Sequence, residues 1–267
     1  MNVAFLGGGR ITSAMLAGLR LAKTKHHLLV HDRDTNRLRV VRKQYAVAVE
    51  PDLKSAIARA DLVVIAVRPD SVGELLRAIR KVIQPLLAVS LAAGVPLRTL
   101  RKALGSPVRW ARAMPSPVCR SGRGLTAVTF PRTLPEKDRN RIREFFASFG
   151  PVIEIPESKF DAFTVTYSCS HGYHALAALA DAAQAAGLDR KTALLASAHA
   201  LADGIVAWRE GKHSLQALSE EAATPGGIAA TSANAMDAAG YQRAVRKGVA
   251  AGLRRARANA RQQTLRN

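Results

Sequence analysis

Cysteine is scarce in this chain. Cys119 and Cys169 are its two cysteines, too few for a disulfide framework, which sets aside the small secreted scaffolds. Long apolar runs are missing as well: no stretch approaches the ~20 residues of a membrane-spanning helix. The first residues lead straight into an apolar strand pattern, so a signal peptide is not expected. Aromatic residues make up 5% of the chain and are not interleaved with basic ones as a stacking platform for nucleic acid requires. Acidic residues are few: 20, against 40 Lys and Arg, for a net charge of +20. That excess raises nucleic acid as a partner, but the basic residues are scattered through the whole length. They read as a solvated surface that also attracts anionic cofactors and substrates. The expectation is a cytoplasmic protein with no membrane or nucleic-acid partner.

What remains is a globular composition, 48% hydrophobic over 267 residues, with room for one large domain or two smaller ones. The first half alternates strand and helix. Strands are expected at 2–6, 27–32, 44–49, 62–67, 86–91, 108–113, 125–130 and 151–155. Helices are expected at 10–23, 34–43, 52–60, 70–83, 97–104 and 135–149. Short continuous apolar runs such as Leu62-Val63-Val64-Ile65-Ala66-Val67 suit strands buried on both faces. The pattern predicts an α/β class: a Rossmann-type, doubly wound, mostly parallel sheet over residues 1–155. From Pro156 the strand signals stop. Helices are expected at 158–186, 190–211, 213–222, 226–237 and 240–264, with Gly187, Gly211 and Gly240 as breaks. Residues 156–267 thus read as an all-helical domain. Its Ala-rich helices are narrow and short of core, which suits burial against another subunit.

The opening segment carries the most chemistry. Val3-Ala4-Phe5-Leu6 runs into Gly7-Gly8-Gly9, then a helix, then Leu28-Leu29-Val30-His31-Asp32. Glycines let a backbone approach a pyrophosphate, and a helix start offers free N–H groups and the positive end of its dipole. Gly7, Gly8, Gly9, Arg10, Ile11 and Thr12 are therefore cofactor-binding candidates, although Thr12 stands where the glycine fingerprint has its third glycine. Asp32 favours NAD, because it can accept from a ribose 2′-hydroxyl. Arg33 favours NADP, because it can pair with a 2′-phosphate. The positive field tips the reading to NADP and leaves NAD open.

Ligands bind outside the carboxyl ends of parallel strands. Those ends are Ala66-Val67-Arg68-Pro69, Ala92-Ala93-Gly94 and Met114-Pro115-Ser116. Thr224-Pro225-Gly226-Gly227 reads as a capped helix start with exposed N–H groups, which fits either a carboxylate- or phosphate-binding site or an ordinary cap. In the polar run 167–173, His171 and Tyr173 are candidate proton donors; a polar face or a kink at Gly172 is the competing reading. His31, His174, His199 and His213 have no metal-ligand spacing, and no metal is expected.

With these segments in order, the chain resembles the pyrroline-5-carboxylate reductase family, the last enzymes of proline biosynthesis. The likeness runs through Gly7-Gly8-Gly9, Ala66-Val67-Arg68-Pro69, Ser90-Leu91-Ala92-Ala93-Gly94-Val95, Arg112-Ala113-Met114-Pro115, Leu179-Ala180-Asp181-Ala182-Ala183 and Thr224-Pro225-Gly226-Gly227. It implies hydride transfer from NAD(P)H to a cyclic imine carboxylate, in a homodimer or higher oligomer joined through the helical domain. Met114, Ser116 and Thr224–Gly227 would then meet the substrate, and Thr224, His171 and Tyr173 would be its catalytic candidates. Departures cluster at the substrate end. Ser116 replaces the family's Asn, the Ser-Gly-Ser-Gly-Pro run is not kept at 167–171, and Ala229 stands where the family carries a hydroxyl, with Thr231 two positions further on. A nucleotide-binding paralogue with lost or altered catalysis is the alternative those departures raise.

Overall fold

A computed structural model describes residues 1–81 and 85–265. They fall into two compact units, one made of the chain to Tyr167 and from Ala251 onward, the other of Ser168–Ala250.

The first unit is built on a sheet of eight strands among the described residues: β1 (Asn2–Leu6), β2 (His27–His31), β3 (Ala48–Val49), β4 (Leu62–Ile65), β5 (Leu86–Ser90), β6 (Val108–Met114), β7 (Thr126–Thr129) and β8 (Val152–Glu154). Their order is β3-β2-β1-β4-β5-β6-β7-β8. Neighbours are parallel except β6 and β7. The order reverses beside β1, which places a ligand crevice at its carboxyl end.

The apolar runs are explained by two cores, one on each face. Side chains alternate along a strand, and here both alternating sets are apolar. Val3, Phe5, Leu62, Val64, Leu87 and Val89 join one core with α1 (Arg10–Leu21), α2 (Thr35–Tyr45) and α6 (Glu136–Ala147). Leu6, Val63, Ile65, Leu86, Ala88 and Trp110 join the other with α3 (Leu53–Ala58), α4 (Val72–Arg80) and α5 (Leu97–Ala103). After the sheet comes α7 (Glu157–Thr166). Buried Arg112 of β6 clasps it: Nη1 donates to Glu157 at 3.2 Å, Nη2 to Asp161 at 3.5 Å, and the guanidinium lies 4.3 Å from the Phe160 ring centre.

The second unit holds α8 (Cys169–Ala185), α9 (Arg190–Glu210), α10 (Leu215–Ala222), α11 (Ile228–Ala238) and the first part of α12 (Tyr241–Leu265). Asp189 caps α9 through Lys191 N and Thr192 N, and Ser214 caps α10 through Ala217 N. Among the described residues no helix is long and apolar enough to cross a membrane.

Three expected elements differ. The single helix at 158–186 is two, broken at Tyr167-Ser168 rather than at Gly172, which lies within α8. The phenol oxygen of Tyr167 accepts from Leu125 N at 2.7 Å, a tertiary tie that helical periodicity does not reveal. The strand at 44–49 shrinks to Ala48–Val49, because α2 continues to Tyr45 and stops at left-handed Ala46. The helix at 70–83 is α4, after a single turn at Pro69–Ser71; its expected last residues, 82 and 83, lie outside the described residues.

Candidate functional site

The carboxyl end of β1 passes into Gly7 at φ +113°, where a β-carbon would come within 2.9 Å of the Ala66 carbonyl. Only glycine suits that backbone and that approach. Gly7 N donates to His31 O at 2.8 Å, and Ala66 N to Leu6 O at 2.9 Å, so the turn is pinned between the ends of β2 and β4. Buried Thr12 donates its hydroxyl to Gly7 O. Its side chain thus locks the turn and is not open to a ligand.

Gly9 is the N-cap of α1, and no side chain caps that end. A β-carbon on Gly9 would meet nothing within 4 Å. The first N–H groups of α1 therefore open onto free space at the switch point of the sheet. Uncapped donors, the positive end of the dipole and missing side-chain cover fit a pyrophosphate. Arg10 is exposed and Ile11 half-buried at the same helix start.

Asp32 is 9% exposed. Its Oδ2 accepts from Gly8 N at 2.8 Å and Arg37 at 3.1 Å, and its Oδ1 from Asp34 N at 2.9 Å. Burial alone would raise its pKa, but hydrogen bonds from Asp34 N, Gly8 N and Arg37 outweigh it and hold the carboxyl below its ordinary value. The acid is bound to the glycine turn instead of reaching out from β2. Arg33 is exposed and paired with Glu74. Arg37, which the sequence reading missed, sets its guanidinium beside Asp32 and its methylene stem over Gly8. Its signal was present: Asp34 caps α2, accepting from Asn36 N and Arg37 N, so Arg37 belongs to the helix's first turn.

Ala66, Val67 and Pro69 are half-buried and Arg68 exposed after β4; Ala92 is buried and Ala93 half-buried after β5; Met114 is half-buried at the end of β6. The sheet thus brings the cofactor candidates and Met114 to one edge. Ser116 is buried, and its Oγ accepts from Val118 N at 3.4 Å. It caps the short turn Pro117–Ser121, a structural use of the side chain expected to meet substrate.

In the second unit, His171 and Tyr173 are exposed in the first turns of α8, Tyr173 by 65%. Thr224 does not cap α11, contrary to expectation. It opens a turn closed by Gly227 N donating to Thr224 O at 2.9 Å, with Gly226 at φ +76°. Gly227 is the N-cap, and no side chain caps it. Pro225 and Gly226 are exposed beside it. The result is a second helix start with open N–H groups. Thr231 donates its hydroxyl to Gly227 O at 3.0 Å, so it serves this turn and does not replace the hydroxyl missing at Ala229.

A doubly wound sheet with an open glycine-turned helix start, followed by a helical unit, defines a dinucleotide-binding oxidoreductase of two parts. Residues 2–94 match the family model described as NADP oxidoreductase, coenzyme F420-dependent, and residues 157–259 match that of the pyrroline-5-carboxylate reductase dimerisation domain. The chain is 32% identical over 212 residues to a pyrroline-5-carboxylate reductase of Mycobacterium leprae, covering 75% of this chain and 71% of that one. It is 27% identical over 260 residues to one from Synechocystis sp., covering 96% and 97%. The chain belongs to the pyrroline-5-carboxylate reductase family. Its fold matches Plasmodium falciparum pyrroline carboxylate reductase with NADP bound at a TM-score of 0.88, with 22% identity and coverage of 97% and 98%. It matches the Streptococcus pyogenes 1-pyrroline-5-carboxylate reductase equally, at 0.88 with 23% identity and the same coverage.

Proposed function

We propose that the protein is an NADPH-dependent reductase of a cyclic imine carboxylate, with 1-pyrroline-5-carboxylate as the first candidate, acting as a homo-oligomer. Relatives with that name along nearly the whole chain support the reaction. The carrying observation is the open, uncapped start of α1 over Gly9. NADPH, when bound, supplies the hydride.

The backbone N–H groups of Gly9, Arg10 and Ile11 would hold the pyrophosphate, with the Arg10 guanidinium adding charge, while the Gly8 N–H stays with Asp32. Arg37 and Arg33 would receive the 2′-phosphate, while Asp32 keeps the turn in shape. The small side chains at Ala66 and Ala92-Ala93, with Val67, Arg68 and Pro69, would frame the nicotinamide end of the cofactor. The Thr224–Gly227 turn, with N–H groups open at Gly227 and beyond, would hold the substrate carboxylate. Met114 would present an apolar wall to the ring. His171, Tyr173 and the Thr224 hydroxyl are the candidates to deliver a proton to nitrogen; a protonated iminium needs none, and orientation then carries the rate.

The test is NADPH and NADH oxidation by the purified protein with a panel of five- and six-membered cyclic imines. Turnover with a five-membered imine carboxylate and a lower KM for NADPH than NADH is expected. Cofactor binding without turnover of any imine would overturn the catalytic reading in favour of a nucleotide-binding paralogue.

A further inference from the structure

At the opposite end of the same sheet, where β6 begins, the first unit carries an open cavity of about 720 Å³. Small-molecule sites span about 300–1,000 Å³. Its walls are α5, the segment 105–110 and the segment 131–134. Arg98, Arg101 and Lys102 of α5 line it, spaced i, i+3 and i+4 so that they share one helix face. Among the described residues, none of their side chains makes a hydrogen bond or salt bridge, and the cavity lining contains no Asp or Glu.

Arg101 and Lys102 stand in the last turn of α5, where cations suit the helix dipole, but their side chains cap no carbonyl there: Ala103 O accepts from Arg80, and Leu104 O from Trp110 Nε1 at 2.6 Å. Three like charges on one face repel each other, an arrangement that a counter-anion would relieve. A fourth cation, Arg109, lines the cavity and is ion-paired with Asp138, whose side chain is only 3% exposed. That carboxylate is buried and lies outside the cavity lining. It holds one Nη of Arg109 and fixes the planar group, leaving further N–H donors on it.

We propose that this cavity binds a small multivalent oxyanion, a phosphate- or pyrophosphate-bearing metabolite, separately from the dinucleotide. Guanidinium groups match such oxygens in pairs, and the fixed Arg109 lowers the ordering cost of binding. The site is independent of the imine reading, because it lies at the other end of β6 from Met114.

Calorimetric titration of inorganic pyrophosphate into NADPH-saturated protein tests it. One site per chain is expected, together with reduced hydrogen exchange at 98–109 and 131–134 on pyrophosphate addition. The variant R98Q/R101Q/K102Q is expected to bind pyrophosphate at least tenfold more weakly with unchanged NADPH affinity. Loss of pyrophosphate binding under NADPH saturation would overturn the proposal, because all binding would then belong to the dinucleotide site. Equal binding by the variant, no binding at millimolar pyrophosphate, or exchange protection confined to other segments would overturn it too.

Discussion

At the residue scale, two neighbouring glycines do different work. Gly7 has the left-handed backbone and the close approach to Ala66, so Gly7→Ala should cost about 2 kcal/mol or more of stability. Gly9 has φ −78° and ψ −169°, which any residue adopts, and free space above it. Gly9→Ala should therefore change stability by less than about 0.5 kcal/mol while weakening NADPH at least about tenfold, about 1.4 kcal/mol. Paired urea melts and fluorescence titrations read both outcomes; a Gly9→Ala protein with full NADPH affinity would remove the cradle from the site. The sequence shows three glycines and cannot rank them, because the ranking depends on how close β4 comes.

Asp32 gives a pH signature. Its folded pKa is depressed, so its contribution to stability is present above the unfolded value near 4 and is lost as pH falls through the folded value. The gap in Tm between the wild type and Asp32→Asn should be widest above about pH 5 and should close toward pH 3. A constant gap over that range would mean that the carboxylate charge does not hold the turn. The acid itself was legible from its distance past the glycines. Asp34 marks Arg37 as a residue of the first turn of α2, but its pairing with Asp32 was not legible, because that requires the rotation of α2 that the cap sets.

At the scale of elements, continuous apolar runs made β1, β4 and β5 legible, since buried parallel strands leave that mark on a sequence. Gly187, Gly211 and Gly240 likewise marked the helix ends of the second unit. The break after α7 left no such mark. It follows from distant contacts: Tyr167 tied to Leu125, and α7 tied to β6 by Arg112. Thr224 misled for a related reason. Thr-Pro fits a cap, but the Gly226-Gly227 turn moves the start of α11 to Ile228. The Arg112 clasp can be weighed. Arg112→Met leaves two partly exposed carboxylates that water can reach, so the loss should be about 2–3 kcal/mol, toward the low end for a broken buried pair. A shift in urea midpoint without a change in slope checks it; an unshifted midpoint would show that α7 is held by its apolar contacts alone.

For the whole molecule, the single chain leaves the helical unit unfinished. Between residues 168 and 250 the buried side chains are Ala180, Ala193 and Ser197, far fewer than a unit of that size needs for stability. α9 is apolar on most sides, with Leu194 at 49%, Leu195 at 57%, Ile205 at 56% and Val206 at 44% exposed. Leu194 and Ile205 lie eleven residues apart, about three turns, so they form one ridge; Leu195 and Val206 form the next, about 100° round. A helix apolar this far round belongs inside a core, and the dimerisation match over 157–259 makes a second copy the natural cover. Charge opposes this, since each chain brings +20. Screening weakens that repulsion while apolar burial persists, so association should tighten as salt rises from 0.05 to 0.5 M, the reverse of an assembly held by ion pairs. Leu194→Glu with Ile205→Glu should raise the dimer Kd at least about a hundredfold, about 2.7 kcal/mol, by placing carboxylates in the covered ridge. Sedimentation velocity decides: a wild-type monomer at micromolar concentration, or association that weakens with salt, would show that another partner covers these ridges.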